Sequence, residues 1–240
     1  MMGRKGPDFD ESATIQRFAC WILLAVRSVA SACVFCILAC LISAQPQTRR
    51  MITSNDPPDV NPQYFPIGVF SEYPDLSDFR SRWYAKHLRA MSEPSMLEAA
   101  KDKSVEGYRF LWLRTFRQPI AIRMTIRPDG SAQLTGIEMT GKGGYDPGIV
   151  ATTQIVEISQ DQIHQFRSLL DTTEYWSMPT VDVRLHEERI RDGDEWILEG
   201  VRDGRYHVVA RVSPRNGTYR EACLYLLSLS KIEVDANRVH

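Results

Sequence analysis

From Tyr108 to Thr140 apolar and polar positions alternate with the period of a β-strand, and β-branched and aromatic residues crowd the stretch. Pro119 separates two runs, and Pro128-Asp129-Gly130 supplies turn chemistry where the alternation reverses. A three-residue hairpin with Gly130 left-handed sets Arg127 against Ser131. That register pairs Ile126 with Ala132, Met124 with Leu134, Ile122 with Gly136 and Ile120 with Glu138 on a core face. The opposite face carries Arg127 with Ser131, Thr125 with Gln133 and Arg123 with Thr135, a polar set suited to water or to a partner. Just upstream, Tyr108 to Phe116 is largely apolar on both faces and belongs inside the sheet. Arg114, between Trp112 and Phe116, then needs a carboxylate or an aromatic face.

Helical spacing flanks this sheet. Asp75 to Met91 places Leu76, Phe79, Trp83, His87 and Leu88 on one face, predicting a helix packed on the sheet. Ser92-Glu93-Pro94 reads as a cap and early proline opening a short second helix. Ile149 to Ile158 is a strand, and Ser159 with Gln162 forms a capping box for a helix with an Ile163, Phe166, Leu169, Leu170 stripe. Tyr175 and Trp176 plug one end of the core. Two or three strands follow, with turns at Asp192-Gly193 and Asp203-Gly204, and Thr218 with Glu221 is a second capping box opening the last helix. The fold class is α+β: a largely antiparallel sheet of about seven strands whose core face is covered by about four helices.

The second of these turns pairs Glu199 with Val208 among Ile197, Val201, Tyr206 and Ala210, which leaves an acid on a core face. Arg114 is the mate the pattern suggests. A buried pair of this kind is more often structural than catalytic.

The N-terminus reads differently. Phe18 to Ala44 holds a single charge, Arg27, and the uncharged run from Ser28 to Ala44 is 17 residues, short of the roughly 20 that span a bilayer. Residues 1–44 are therefore a signal peptide, a lipoprotein signal acylated at Cys40 after Ile37-Leu38-Ala39, or a membrane anchor. Residues 45–66, with prolines at 46, 57, 58, 62 and 66, form an extended spacer, and 67–240 a single domain. Four of the five cysteines lie in the leader, so Cys223 has no disulfide mate in the domain and reads as a small buried apolar residue. The expected address is export to the periplasm or retention at the membrane.

The formal charge of −1, without any basic cluster carrying interleaved aromatics, argues against nucleic acid. The glycine-dense loop from Thr140 to Gly148 is not a phosphate loop, because Asp146 stands where GxGxxG needs glycine and a strand follows. It is chiefly a connecting loop, with a binding role open to Lys142, Tyr145 and Asp146. His186-Glu187-Glu188 with Asp192, Asp194 and Glu195 lacks metal-ligand spacing and reads as a solvated hairpin, and GxSxG, CxxC and Walker patterns are absent. No cofactor or metal is called for. The leading reading is a non-catalytic module that binds a protein partner or small ligand in the cell envelope through Lys142, Tyr145 and Asp146 with Arg123 and Arg127. The alternatives are an enzyme using Glu199 with His207 or Arg114, and an immunity-type inhibitor of a toxin. An enzyme requires those groups to converge in a water-accessible pocket.

The segments YRFLWLRTF, PIAIRM, GGYDP, DGDEWILEG and YHVVARVSP, spread from Tyr108 to Pro214, resemble a family of uncharacterised exported bacterial proteins. The resemblance implies a bacterial envelope address and carries no activity, ligand or site residue.

Overall fold

The computed structural model describes residues 62–182 and 193–234. The leader, the lipidation candidate Cys40, most of the spacer, the His186-Glu187-Glu188 cluster and Asp192 lie outside them. Described residues include helix α1 (Pro74–Ala90), the short α2 (Met96–Ala99), strands β1 (Glu106–Leu113), β2 (Ile120–Ile126), β3 (Ala132–Met139) and β4 (Val150–Ile158). Helix α3 (Gln160–Thr172), a 3-10 turn at Tyr175–Ser177, β5 (Glu195–Arg202), β6 (Arg205–Val212) and α4 (Thr218–Leu229) complete them. Among the described residues the fold is α+β, with four helices and one antiparallel sheet in the order β4-β3-β2-β1-β5-β6. The sheet has six strands among the described residues, against about seven expected; a strand before Asp192-Gly193 would fall mostly on 183–192.

Turn chemistry sets both hairpins. Gly130 is left-handed at φ 86°, the Arg127 amide donates to the Ser131 carbonyl at 2.8 Å, and every pair from Ile120 with Glu138 to Ile126 with Ala132 follows. Asp203 and Gly204 both take positive φ, and β5 pairs with β6 from Glu195 with Val212 to Arg202 with Arg205.

Helices cover both faces of the sheet, where one covered face was expected. Tyr108, Phe110, Trp112, Ile122, Met124, Leu134, Trp196 and Leu198 meet Ile163 and Phe166 of α3 and Ala222, Cys223 and Leu226 of α4. The other face buries Leu111, Leu113, Ala121, Ile137, Ile197 and Val208 against Tyr84, Ala85 and Leu88 of α1, and against Tyr64, Phe65 and Phe70. Two apolar faces on β1 and β5 demand two covering layers. Tyr64 and Phe65, expected in the spacer, are therefore core residues. At the C-terminal halves of β2 and β4 the second face stays open, as the polar pattern of Thr125, Arg127 and Gln133 predicts.

Three local readings change. Helix α1 buries Ser77, Tyr84, Ala85, His87 and Leu88, while Leu76 and Phe79 are 39% and 56% exposed. Its axial rotation follows Tyr84, whose ring packs edge-on against Phe70 at 5.0 Å and whose hydroxyl donates to Glu195 at 2.9 Å. The cap of α2 is Ser95, which accepts from the Glu98 amide, so Glu93 is released for another task. The capping box at Ser159 and Gln162 forms, but α4 is capped by Gly217 at φ 96° with Thr218 inside the helix.

Glu93 and Glu199 meet two arginines in the second core. Arg109 stands directly between Glu199 of β5 and Arg123 of β2 in register. Its Nε and Nη2 donate to Glu199 Oε2 at 2.7 and 2.6 Å, and its Nη1 donates to the Pro94 carbonyl at 2.6 Å and to Glu93 Oε2 at 3.3 Å. Arg123 Nε donates to the same Glu93 oxygen at 2.9 Å, and the Tyr206 hydroxyl to Glu199 Oε1 at 2.9 Å. Arg114, the expected mate of Glu199, instead reaches Glu138 at 3.0 Å and lies over Trp112. Burial opposes charge on Arg109, but Glu199 and Glu93 outweigh it and hold its pKa above the ordinary value. Burial biases the Glu199 carboxyl upward, with Arg109 and Tyr206 pulling against it. With both acids ionised the two carboxylates balance the two guanidinium groups. Removing one partner leaves an uncompensated buried charge, so Glu199→Ala is expected to lose about 3–5 kcal/mol in urea unfolding. Replacing Arg109 and Glu199 together by Met, which leaves Glu93 and Arg123 balanced, is expected to lose less than either single change.

Candidate functional site

A cleft of about 580 Å³ opens between α1 and the loop that follows β3. Phe79, Arg82, Trp83 and Lys86 of α1 form one wall, Thr115, Gly144 and Tyr145 the other, and Gly193, Glu195 and Val212 complete the lining. Its size and mixed apolar and polar lining suit a ligand site.

The loop is seated by its backbone. Gly143 donates to the carbonyls of Arg114 and Arg117 at 3.0 and 2.9 Å, and Gly144 donates to Thr115 at 3.0 Å. A β-carbon on Gly143 would stand 2.5 Å from the Arg114 nitrogen, so the glycine permits this approach. From α1, the Trp83 indole donates to the Gly143 carbonyl at 2.9 Å, and Lys86 Nζ donates to the Tyr145 carbonyl at 3.1 Å and pairs with Asp146 at 3.4 Å. The loop thus binds α1 through main-chain groups and leaves the Tyr145 ring 60% exposed. Tyr145 lies 6.1 Å from Phe116, itself 56% exposed, and across the cleft Phe79 lies 6.0 Å from Trp83. Two aromatic pairs flank one opening.

Glu195 is the polar group at its depth, 8% exposed and held by the Tyr84 hydroxyl through Oε2. Among the described residues Oε1 has no hydrogen-bond partner. Burial pushes the Glu195 carboxyl up, opposed by Arg80 and the Tyr84 hydroxyl. The rim cations Arg82 and Lys86 are each matched by an acid, Asp78 at 2.6 Å and Asp146 at 3.4 Å. The lining can stack on a flat apolar surface and offer one carboxyl to a donor. Among its described lining residues Glu195 is the one carboxyl.

The residues singled out from sequence separate into three places. Lys142, Tyr145 and Asp146 share the loop, with Tyr145 in the cleft lining and Lys142 exposed beside it. Arg123 is drawn into the buried charge network, and Arg127, bonded to Ser131 at 3.1 Å, sits at the far end of β2. That strand of seven residues separates it from the loop by about 20 Å, so these five residues do not make one surface. Glu199 is fully buried. His207 is paired in register with Gly200, so its side chain leaves from the other face of the sheet, beside Tyr175 at 5.1 Å. Burial lowers its pKa. Glu199, His207 and Arg114 do not converge. Among the described residues no group of His, Cys, Asp and Glu is arranged to hold a metal, and no helix is long and apolar enough to cross a membrane. Phe79, Trp83 and Glu195 escaped the sequence reading: the first two pass for core positions, and Glu195 for part of a solvated hairpin.

The chain matches no family model, no curated protein and no solved structure.

His87 lies under the loop, fully buried, with neither ring nitrogen hydrogen-bonded among the described residues. Burial and the neighbouring Lys86 push it down to about 4 from 6.5, against weaker pulls from the Gly143 carbonyl and Asp146. Between those values the unfolded chain binds a proton that the native state refuses. Its contribution is intact above pH 6.5 and is lost as the pH falls towards 4, by up to about 3 kcal/mol. Denaturation curves across this range are expected to show that slope, and His87→Leu to flatten it without loss at pH 7. Gly143→Ala is expected to cost about 1–3 kcal/mol and to raise amide exchange at Gly143 and Gly144.

Proposed function

We propose that this protein is a non-catalytic binding module of the bacterial cell envelope, held there or released there by its N-terminal segment, and that the cleft between α1 and the Thr140–Gly148 loop receives its partner. One observation carries the reading. Helix α1 has two apolar stripes, and only the one through Tyr84 and Leu88 is spent on the core; Tyr73, Leu76 and Phe79 are 66%, 39% and 56% exposed, in line with the half-buried Trp83. A stripe of this kind continuous with a cleft, faced by the exposed Tyr145 and Phe116, is the composition of an interaction site rather than of a solvated helix face. The partner is a protein element or small ligand that presents an apolar face to the aromatic pairs and a hydrogen-bond donor to Glu195. The envelope address rests on the leader and on the resemblance of the Tyr108–Pro214 segments. The enzyme alternative loses its geometric basis, since Glu199 is sealed in a salt-bridge network; an inhibitor of a toxin would use the same surface.

The test is covalent crosslinking of the tagged full-length chain in its own host, followed by identification of what co-purifies. A single stoichiometric species is expected with the wild type and with Arg127→Ala. Phe79→Ala and Tyr145→Ala are each expected to weaken it by about 30-fold, the loss of an aromatic anchor worth ~2 kcal/mol. Retention of the species by both aromatic variants would refute the cleft as its site.

A further inference from the structure

Three carboxylates are buried among the described residues, Glu93, Glu195 and Glu199. Glu93 is paired with Arg109 and Arg123 at 3.3 and 2.9 Å, and Glu199 with Arg109 at 2.6 Å. Glu195 differs. Its hydrogen-bond partner is the neutral Tyr84 hydroxyl on Oε2, and among the described residues no Lys or Arg forms an ion pair with it. Arg80 pulls on the carboxyl from farther off, while its Nη1 donates to the Phe70 carbonyl at 3.3 Å. The rim cations are matched elsewhere, Arg82 by Asp78 and Lys86 by Asp146. A buried carboxylate without a counter-ion is unfavourable, and the other two in this fold each have one. Glu195 is also the one that lines the cleft, with Oε1 open to it. Phe79, Trp83 and Tyr145 line the same opening, and aromatic rings beside a carboxyl form a receptor for a cation.

We infer that the cleft receives an arginine side chain of a protein partner, its guanidinium donating to Glu195 Oε1 and stacking on the aromatic walls. The inference rests on the cleft being the partner site and names the group that enters it. One free oxygen suffices for a guanidinium: within this chain Arg109 places Nε and Nη2 on a single oxygen of Glu199 at 2.7 and 2.6 Å. An ammonium has three diverging donors to satisfy and no plane to stack. The chain already uses the second contact too, with Arg114 lying over Trp112 at 5.1 Å. A polypeptide source follows from the extent of the surface. Tyr73 and Leu76, 66% and 39% exposed, carry the apolar stripe along α1 past the cleft, an area that a free guanidino compound would leave uncovered.

Isothermal titration calorimetry of the detergent-purified full-length chain with N-acetyl-arginine amide tests this, with the matching citrulline and lysine amides as controls. The arginine compound is expected to bind in roughly the millimolar range. The uncharged citrulline isostere and the lysine amide are each expected to bind about 10-fold more weakly. Glu195→Gln keeps the side-chain shape and an oxygen for Tyr84, and is expected to weaken the arginine compound about 10-fold without lowering thermal stability. Tyr145→Leu, which keeps apolar bulk at an exposed position but removes the ring, is expected to weaken it about 3-fold. No binding, equal binding of the three amides, or arginine binding that survives Glu195→Gln would overturn the inference. Free L-arginine binding more tightly than its blocked amide would overturn the protein source. Crosslinking in the host separates this inference from the reading beneath it. A species lost in Phe79→Ala and Tyr145→Ala but kept in full by Glu195→Gln would leave the cleft as the partner site and refute the arginine; a species kept by both aromatic variants would refute the site itself.

Discussion

Arg109 is a guanidinium without water around it, and the arrangement of the second core depends on how its charge is met. It lies in the middle of the sheet between β2 and β5, so the acids that neutralise it must come from a neighbouring strand and from the layer above. Glu199 does the first, directly across on β5. Glu93 does the second, from the turn between α1 and α2, and binds Arg123 with the same oxygen. Because an unpaired ion there would cost several kcal/mol, this one requirement fixes the seat of the turn after α1 and limits where the helix can lie. Tyr64, whose hydroxyl donates to the Glu93 carbonyl at 2.7 Å, brings the start of the domain to the same point.

The cleft follows from that placement. With the C-terminal end of α1 tied to the charge network and Tyr84 inserted between Phe65, Phe70 and Glu195, the helix turns its Phe79 and Trp83 side away from the sheet. The glycine loop then approaches closely enough for main-chain hydrogen bonds to Trp83 and Lys86, which leaves Tyr145 with its ring outward. Buried ion pairing, helix rotation and exposed aromatic surface are thus steps of one chain of causes. The first core, built from Phe110, Trp112 and Trp196 against α3 and α4, supplies the rigid layer on which these adjustments rest.

Much of the fold was legible in short stretches. Pro128-Asp129-Gly130 and Asp203-Gly204 gave both registers correctly, because turn geometry and period-two alternation are local properties that fix every later pair. The Ser159 capping box and the Ile163, Phe166, Leu170 stripe were legible for the same reason. The sites were less so. Leu76, Phe79 and Trp83 share a helical face, and spacing alone cannot say whether such a face is buried or offered outward. Ser92 and Ser95 both suit an N-cap, and the choice between them turned on where Glu93 was needed.

What the sequence determined by itself is the antiparallel sheet, the registers of the β2–β3 and β5–β6 hairpins, the helix that follows β4 and the presence of an acid, Glu199, on an apolar face, since each rests on interactions within a few residues or across one hairpin. The tertiary structure decided the mate of that acid, the second covered face, the rotation of α1 and the meeting of Phe79, Trp83, Tyr145 and Glu195. Those depend on residues far apart in the chain, such as Glu93 with Arg109 and Tyr84 with Glu195, whose proximity is set by the balance of buried charge and by packing volume.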